Sequence, residues 1–367
     1  MKKKLLLCDL VIAKDLCNAS CRYCLTNYDQ FSDNQKALLR RQYQYQDGVA
    51  LYWRLNTLLD TLEDNLEIAA LKISGGEILM VPNIIQLLEE RASRYYQVQM
   101  MTNGILLNAQ SIRRLSKIPN LFLQVSIDSD NLKGNYYRIQ QPKKQSRLLE
   151  NVDAVITAGI PLEINSVLTD LSLPYFPDFL DYLLRYRDRP LTVFPFPVRG
   201  DEVARYFPRE DQIPVLTQIL ERYDQYQFIL PPRPYMDNLI TFLQEKKRQR
   251  LCTVPFHSAQ FFDNGQFTPC PYWWTVDFGN IIDEGAEPIK QYRTNPIYRS
   301  LLARKPCLKP CQHCYVHAEV LNLYFEDRLS SSALMTIPFY RSSQMIQFVN
   351  NIKEEYHSVA KGNLRNG

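Results

Sequence analysis

The chain has 367 residues, of which 46% are hydrophobic and 22% are charged, and its formal net charge is +4 at pH 7. That length accommodates one large domain or two smaller ones, and the composition is ordinary for a globular protein. The mild charge, without a basic stripe interleaved with aromatic residues, argues against nucleic acid as a partner, and no apolar run is long enough to cross a membrane.

Apolar runs alternate with amphipathic patterns in the first part of the chain. Short apolar runs predict six strands, and the spacing of leucine and isoleucine predicts the helices between them. The predicted strands cover residues 5–12, 67–74, 97–102, 121–127, 162–168 and 191–196, and the helices cover 48–62, 81–95, 109–116, 147–158 and 176–186. This alternation is typical of parallel β/α units, so we expect an α/β fold with an open, partial (β/α)6 TIM-like barrel. In such folds the catalytic residues lie at the carboxyl ends of the strands.

The pattern changes beyond the sixth predicted strand. Residues 208–250 are amphipathic and helical, whereas loops, turns and cysteines dominate from residue 251, and residues 345–356 again read as a helix that could close over the barrel. We therefore predict a barrel over 1–205, a helical bridge over 206–250, a small cysteine-rich domain over 251–318 and a helical tail over 319–367.

The nine cysteines fall into two groups, three near the start and five between Cys252 and Cys314, with Cys8 alone. The first residues imitate a signal peptide, but their apolar run is too short and Asp9 follows at once. Close spacings in a chain without a leader favour metal over disulfides, so the expected compartment is a reducing cytoplasm.

The first group is Cys17, Cys21 and Cys24, with the spacing C-x3-C-x2-C directly after the first predicted strand. Three thiolates on one loop can hold three corners of a cubane iron–sulfur cluster and leave one iron open, as catalytic metal sites do. A zinc loop completed by a distant ligand is the main alternative from the residues alone, and a disulfide is a weaker one.

The run Cys17-Asn-Ala-Ser-Cys21-Arg-Tyr23-Cys24 resembles the signature of the radical S-adenosylmethionine (SAM) enzymes, including the aromatic residue before the third cysteine. The resemblance implies a [4Fe–4S] cluster whose open iron binds SAM. An electron, from a donor such as flavodoxin or ferredoxin, then cleaves SAM to methionine and a 5′-deoxyadenosyl radical that takes a hydrogen atom from the substrate. Tyr23 belongs to this cofactor site by the same resemblance.

A second cofactor motif, Gly75, Gly76 and Glu77, ends the second predicted strand. Glycines let the backbone approach a ligand closely, and a carboxylate can accept a hydrogen bond from an ammonium group. The resemblance assigns this motif to the SAM amino group. A plain strand-to-helix turn is the alternative, and Ile78 stands where the family often has proline.

Further polar residues lie at strand ends. Ser126 and Asp128 share a face of the fourth strand, and by resemblance Ser126 contacts SAM. Arg147, which we place at the start of the next helix, could clamp the SAM carboxylate or simply be a solvated arginine. Asn103 could contact the cofactor or form a turn.

Two polar residues in the fifth predicted strand are candidates for a catalytic role. Glu163 and Asn165 lie two positions apart, so they share a face of the strand. Their side chains could point into a polar barrel lumen or lie on an edge of the sheet.

The second cysteine group could bind a further metal centre. Four of its five thiolates would fully ligate a second [4Fe–4S] cluster, whereas zinc is the alternative because His313 and His317 lie close by in the sequence. The arrangement resembles the SPASM and shorter twitch extensions of radical SAM enzymes, and the single-cluster twitch type fits better. This resemblance implies an auxiliary cluster with Cys252, Cys270, Cys311 and Cys314 as its ligands. Cys307 remains as an alternative ligand, a structural thiol or a hydrogen-atom donor.

Enzymes with such extensions commonly modify ribosomally synthesised peptides by crosslinking, epimerisation or excision, and this is the function that the resemblance favours. Because the barrel begins at about residue 4, we expect no leader-binding domain here, so a separate leader-peptide-binding protein is a possible partner. The alternatives are a twitch-type dehydrogenase acting on a sugar or cyclitol alcohol, and a non-catalytic iron–sulfur or zinc-binding protein.

Overall fold

Eight strands form one sheet in a computed structural model of the chain, which describes residues 2–24, 48–199, 201–274, 276, 278–285, 287–291, 295–302 and 309–363. The strands are β1 (Lys3–Ile12), β2 (Leu66–Gly75), β3 (Gln97–Thr102), β4 (Leu121–Ser126), β5 (Leu162–Leu168), β6 (Leu191–Pro197), β7 (Ser258–Phe262) and β8 (Phe267–Thr268). Their order is β6-β5-β4-β3-β2-β1-β7-β8, so β6 and β8 are the two ends of a sheet that does not close. The partial α/β barrel is therefore confirmed.

All six strands of the barrel pair in parallel with their neighbours, as the alternation of strands and helices predicted. The α-helices are Gly48–Asn65, Ile84–Arg91, Ala109–Leu115, Pro142–Thr157, Phe176–Leu183, Pro214–Glu221, Tyr223–Tyr226, Arg233–Glu245, Val254–His257, Ile281–Glu284, Glu287–Gln291, Pro296–Leu302, Lys309–Gln312, Glu319–Phe325, Ser331–Leu334 and Ser343–Asn363. Short 3-10 helices cover Ile78–Met80, Ala92–Arg94, Leu173–Tyr175, Leu184–Tyr186, Asp201–Tyr206, Glu210–Gln212, Pro271–Trp273 and Pro338–Tyr340. None of the helices in the described residues combines the length and the apolarity needed to span a bilayer.

The helix after β4 begins earlier than predicted. It starts at Pro142, because the fixed φ of proline suits the first helical position, where no backbone donor is needed. Its first turn is polar, so the apolar spacing becomes visible only from Leu148 onward. Arg147 consequently lies inside the helix rather than at its start, and its side chain is exposed.

The hairpin of β7 and β8 was missed by the sequence analysis. β7 pairs in parallel with β1 and antiparallel with β8, so the barrel sheet continues into the cysteine-rich region. The turn at Asp263-Asn264-Gly265, where Gly265 has a φ of 91°, was the available signal. The domain boundaries stay predictions, and the sheet crosses the one placed at residue 251.

The C-terminal tail packs against the barrel. The predicted final helix is present as Ser343–Asn363. Phe339 contacts Phe122 of β4 edge-on with ring centroids 5.6 Å apart, and both Phe339 and Tyr340 line the barrel lumen. The residues that close the lumen thus precede the final helix.

Candidate functional site

The loop after β1 carries the first three cysteines at the mouth of the barrel. Ala13 turns the chain with a φ of 41°, and its backbone N–H donates to Asp263 Oδ2 at 2.9 Å. The Glu77 N–H donates to the carbonyl oxygen of Leu16 at 2.7 Å, which ties the end of β2 to the loop. Cys17 is exposed, whereas Cys21 and Cys24 are half-buried.

Gly75 and Gly76 are needed because the end of β1 and the start of the cysteine loop lie against them. A Cβ atom on Gly75 would lie 1.8 Å from the carbonyl oxygen of Ile12, and one on Gly76 would lie 2.2 Å from that of Leu16. We predicted a close approach of this backbone to a ligand, and the approach seen here is to the chain itself. The motif therefore holds the cysteine loop in place, whatever else it binds.

The Glu77 carboxylate is buried and links the ends of β2 and β3. It accepts hydrogen bonds from Thr102 Oγ1 at 2.7 Å, from the Asn103 N–H at 2.7 Å and from the Leu79 N–H at 3.1 Å. Burial raises the pKa of Glu77, and the three donors oppose that shift. Its predicted contact with the SAM amino group stays a prediction.

Asn103 forms the turn that we considered and also reaches the cysteine loop. Its Oδ1 accepts from the Ile105 N–H at 3.0 Å, while its Nδ2 lies 2.7 Å from Asn18 Oδ1 and 3.8 Å from Cys17 Sγ. The Ala19 N–H approaches the same sulfur at 3.5 Å. Two N–H groups are thus directed at the Cys17 thiol.

Asp128 is the centre of a buried network rather than an open ligand. It accepts a short hydrogen bond from the Tyr23 hydroxyl, and its Oδ1 accepts from the Val167 N–H at 2.9 Å. Arg138 donates to the same oxygen from Nη2 at 3.1 Å, and its Nη1 lies 3.9 Å from Cys21 Sγ. We define these residues, Tyr23, Asp128 and Arg138, as the Asp128 network, and it anchors the middle of the cysteine loop.

Arg138 was missed by the sequence analysis. It sits in a polar, turn-rich stretch with no helical or strand period, and its burial at 7% exposure comes from contacts with Asp128 and the cysteine loop. Burial raises the pKa of Cys21 to about 12, and the charge of Arg138 opposes this shift. The arginine beside the cysteine loop is therefore Arg138, whereas Arg147 borders a surface pocket with Asn108 and Glu150.

Ser126 stands half-buried at the end of β4, in register with Asn165 of β5. Its contact with SAM stays a prediction, as does the carboxylate clamp that we suggested for Arg147.

Glu163 and Asn165 face the barrel lumen, which was one of the two predicted placements. Glu163 accepts a short hydrogen bond from Gln124 Nε2 of β4. Burial raises the pKa of Glu163 to about 7, and the charge of Lys72 on β2 opposes the shift. Asn165 borders a cavity of about 290 Å³ inside the barrel.

A pH-dependent stability effect follows from the buried Glu163. Between its ordinary pKa of 4.5 and its folded value of about 7, the folded state binds more protons than the unfolded state, so stability falls as pH rises through this range. We expect Glu163→Gln to raise the free energy of unfolding relative to the parent chain, by an amount that grows by about 2 kcal/mol from pH 5 to pH 8.

Urea unfolding of the anaerobic protein at both pH values measures this growth. Glu67→Gln, at an exposed position, is the matched control for the loss of one carboxyl group. His257 and His317, whose pKa values burial lowers to about 3, oppose the trend equally in both chains and cancel in the comparison. An effect of Glu163→Gln that stays constant between the two pH values would contradict the prediction.

The lumen cavity touches both cysteine groups. It is bordered by Cys24 and Gly75 from the first site and by Cys270 and Trp274 from the second. A molecule in this cavity would therefore lie beside both groups at once.

Two cysteines of the second group, Cys252 and Cys314, lie beside a buried ion pair. Cys252 lies close enough to Cys314 for their charges to interact, although burial is the main reason that its pKa rises to about 11. Arg248 donates from Nε to the carbonyl oxygen of Cys314 at 3.0 Å and forms a short ion pair with Glu319.

The other predicted ligands of the second group are placed as follows. The Cys314 N–H donates to the carbonyl oxygen of Cys311 at 3.3 Å, so these two cysteines share a tight turn. Cys270 lies at the lumen cavity with His317, while the ring of exposed His313 is bonded to the carbonyl oxygen of Lys246. Cys307 lies outside the described residues.

The donor set at the first site fits an iron–sulfur cluster. Among the residues that the structure describes, no three His, Cys, Asp or Glu side chains converge as they would around a single metal ion. Three thiols on one loop, with N–H groups directed at Cys17 and Cys21, are a donor set that an iron–sulfur cluster can use.

Comparison with protein families finds a match to the radical SAM superfamily over residues 11–183. An uncharacterized protein of Methanocaldococcus jannaschii is 25% identical over 294 residues, covering 77% of this chain and 91% of the relative. The antilisterial bacteriocin subtilosin biosynthesis protein AlbA of Bacillus subtilis is 22% identical, covering 86% and 69%. Neomycin C epimerase of Streptomyces fradiae is 26% identical, covering 50% and 58%.

Among solved structures, Streptococcus suis SuiB bound to its precursor peptide SuiA superposes with a TM-score of 0.61 at 12% identity, covering 85% of this chain and 70% of SuiB. The protein anSMEcpe with bound AdoMet and Cp18Cys peptide superposes with a TM-score of 0.57 at 16% identity, covering 94% and 99%. At these identities the likeness concerns the fold.

Proposed function

Residues 11–183 of this chain belong to the radical SAM superfamily, whose members are enzymes, and from this premise we propose that the chain modifies a ribosomally synthesised peptide. The observation that carries the proposal is the lumen cavity, which touches Cys24 of the first cysteine group and Cys270 of the second. Membership of an enzyme superfamily argues against the alternative of a non-catalytic metal-binding protein.

The superfamily implies a [4Fe–4S] cluster and SAM, which when bound supply an organic radical able to remove a hydrogen atom from an unactivated carbon. In this chain Cys17, Cys21 and Cys24 would hold the cluster. Asn103 and Arg138 would direct N–H groups at two of the three thiolates, which favours the charged form of each sulfur.

The lumen would hold the reacting part of the substrate. Phe339 and Tyr340 of the tail line the cavity and would present aromatic surface to the bound group. Its volume of about 290 Å³ is enough for one amino-acid side chain but not for a whole peptide, so the rest of a peptide would lie outside it.

The relatives support a peptide substrate. AlbA is named for bacteriocin biosynthesis, and SuiB and anSMEcpe have been solved with peptides bound. A sugar or cyclitol is the second candidate, because neomycin C epimerase is similar to half of this chain and a single sugar ring also matches the size of the cavity.

Three further components complete the proposal. Cys252, Cys270, Cys311 and Cys314 would hold one auxiliary [4Fe–4S] cluster beside the substrate, with Cys307 as a possible substitute ligand or thiol donor. A flavodoxin or ferredoxin would supply electrons, and a separate protein could present the leader of the peptide. The thiolates require a reducing compartment such as the cytoplasm.

Anaerobic reconstitution with iron and sulfide tests this function. The reduced protein, given SAM, should form 5′-deoxyadenosine, and mass spectrometry should find a mass change in members of a pool of candidate precursor peptides but not in an aminoglycoside. The Cys17→Ala/Cys21→Ala/Cys24→Ala variant should form no 5′-deoxyadenosine. Turnover of the aminoglycoside alone would favour the second candidate, and an inactive parent chain would refute both.

A further inference from the structure

Lys72 is a buried cation in the wall of the lumen. It lies on β2, in register with Asp9 of β1 and Gln99 of β3, and its side chain is 4% exposed and borders the cavity. Among the described residues its ammonium group forms no hydrogen bond and no ion pair within 4.0 Å, and Lys72 borders the cavity. A charge at the wall of a cavity inside the protein favours an anionic partner there.

The carboxylate of Asp9, the residue in register with Lys72 on β1, already accepts hydrogen bonds. Asp9 accepts from Ser74 Oγ at 2.6 Å and from Gln260 Nε2 at 2.7 Å, and Gln260 in turn accepts from Trp274 Nε1 at 2.6 Å. This row of bonds across β2, β1 and β7 gives each oxygen of Asp9 a donor other than Lys72.

Asn165 presents a second unsatisfied group to the same cavity. Its side chain is 4% exposed, and its Oδ1 is buried without a hydrogen-bond partner in the described part of the chain. A buried amide that lacks partners costs free energy comparable to a lost hydrogen bond. Its amide N–H can donate a hydrogen bond to a carboxylate, and its oxygen can accept one from a donor group of the substrate.

The other charged groups leave a positive balance at the cavity. Arg199 also borders it, whereas His317 is neutral because burial lowers its pKa to about 3. Glu163 accepts a hydrogen bond from Gln124 and interacts with the charge of Lys72, and with a pKa of about 7 it carries only part of a negative charge at pH 7. Asp9 and this partial charge together do not offset both cations.

We propose that Lys72 and Asn165 form a carboxylate-binding subsite, and that the substrate presents an acidic side chain to it. This inference rests on the peptide-modifying function proposed above and names the substrate residue that the lumen selects. Lys72 precedes Gly75 by three residues, which is about 10 Å along a strand, so the subsite lies well below the barrel mouth where the cysteine loop ends.

Binding of N-acetyl-glutamate amide and N-acetyl-glutamine amide to the SAM-loaded, anaerobic holoprotein tests the subsite by calorimetry. The two probes differ by one charge, so a charged partner should give the parent chain about a tenfold or greater preference for the glutamate probe. Lys72→Met should bring the two affinities within about twofold of each other, whereas the exposed Lys117→Met should keep the parent preference.

The outcomes separate this subsite from the proposed function. Equal binding of both probes by the parent chain would refute the proposed subsite. This comparison needs no variant, so misfolding of Lys72→Met cannot affect its outcome. If Lys72→Met instead lost SAM binding, the ammonium group would serve the cofactor and the subsite would also be refuted. A parent chain that forms 5′-deoxyadenosine without preferring the acidic probe would leave the proposed function intact.

Discussion

Gly76→Ala is expected to lower the rate of SAM cleavage at least about a hundredfold. The added Cβ would lie 2.2 Å from the carbonyl oxygen of Leu16 and 2.9 Å from that of Ala13. Both contacts are with backbone, so the cysteine loop itself must move, and a displacement of about 1 Å near a reacting centre is enough for such a loss. Liquid chromatography of 5′-deoxyadenosine measures the rate, and the visible absorbance of the reconstituted protein measures cluster content.

Gly159→Ala is the matched control for this substitution. Gly159 has a φ of 74°, so alanine is also strained there, but no heavy atom lies within 4 Å of the added Cβ. This variant should lose some stability and keep its cluster and its rate. If Gly76→Ala cleaved SAM as fast as Gly159→Ala, the packing of the glycine pair against the loop would not matter for catalysis.

Asp128→Asn is expected to destabilise the protein by about 3 kcal/mol, because it leaves the guanidinium of Arg138 buried without a counter-charge. Asp128 and Arg138 have side chains that are 1% and 8% exposed, and their pair is what fixes the loop near Cys21. We therefore expect slower recovery of the cluster after oxidation as well as a lower urea midpoint.

Two variants show whether the ion pair causes the effect. Tyr23→Phe removes only the hydroxyl bond to Asp128 and should cost about 1 kcal/mol. Glu89→Gln breaks the exposed pair with Arg114, whose side chains are 34% and 41% exposed, and should cost less than about 1 kcal/mol. A loss from Asp128→Asn no larger than that from Glu89→Gln would show that the Asp128 network adds little to stability.

The barrel was predictable because its signals are local. Each of the six strands is a short apolar run followed by a helix, and the motifs at Cys17 and Gly75 stand directly at strand ends. The burial of Lys72 and Glu163 in the lumen follows from the alternation of strand faces, once the parallel register is known.

What escaped prediction depends on contacts between distant parts of the chain. β7 is defined by pairing with β1 some 250 residues earlier, as the bond between Ala13 and Asp263 shows. Arg138 is buried because Asp128 and the cysteine loop surround it, and no periodic pattern of apolar residues in the sequence indicates this burial. The first turn of the helix at Pro142 is polar, so its apolar face gave no sign of the true start.

The pairing of β7 with β1 has a mechanical consequence. β1 leads into the first cysteine loop, β7 pairs with β1, and β8, which pairs with β7, precedes Cys270. The two cysteine groups are therefore attached to one hydrogen-bonded sheet. Opening the molecule between them would break a row of backbone bonds. A movement that separates the two cysteine groups would therefore cost backbone hydrogen bonds, so we expect both groups to stay beside the lumen cavity during turnover.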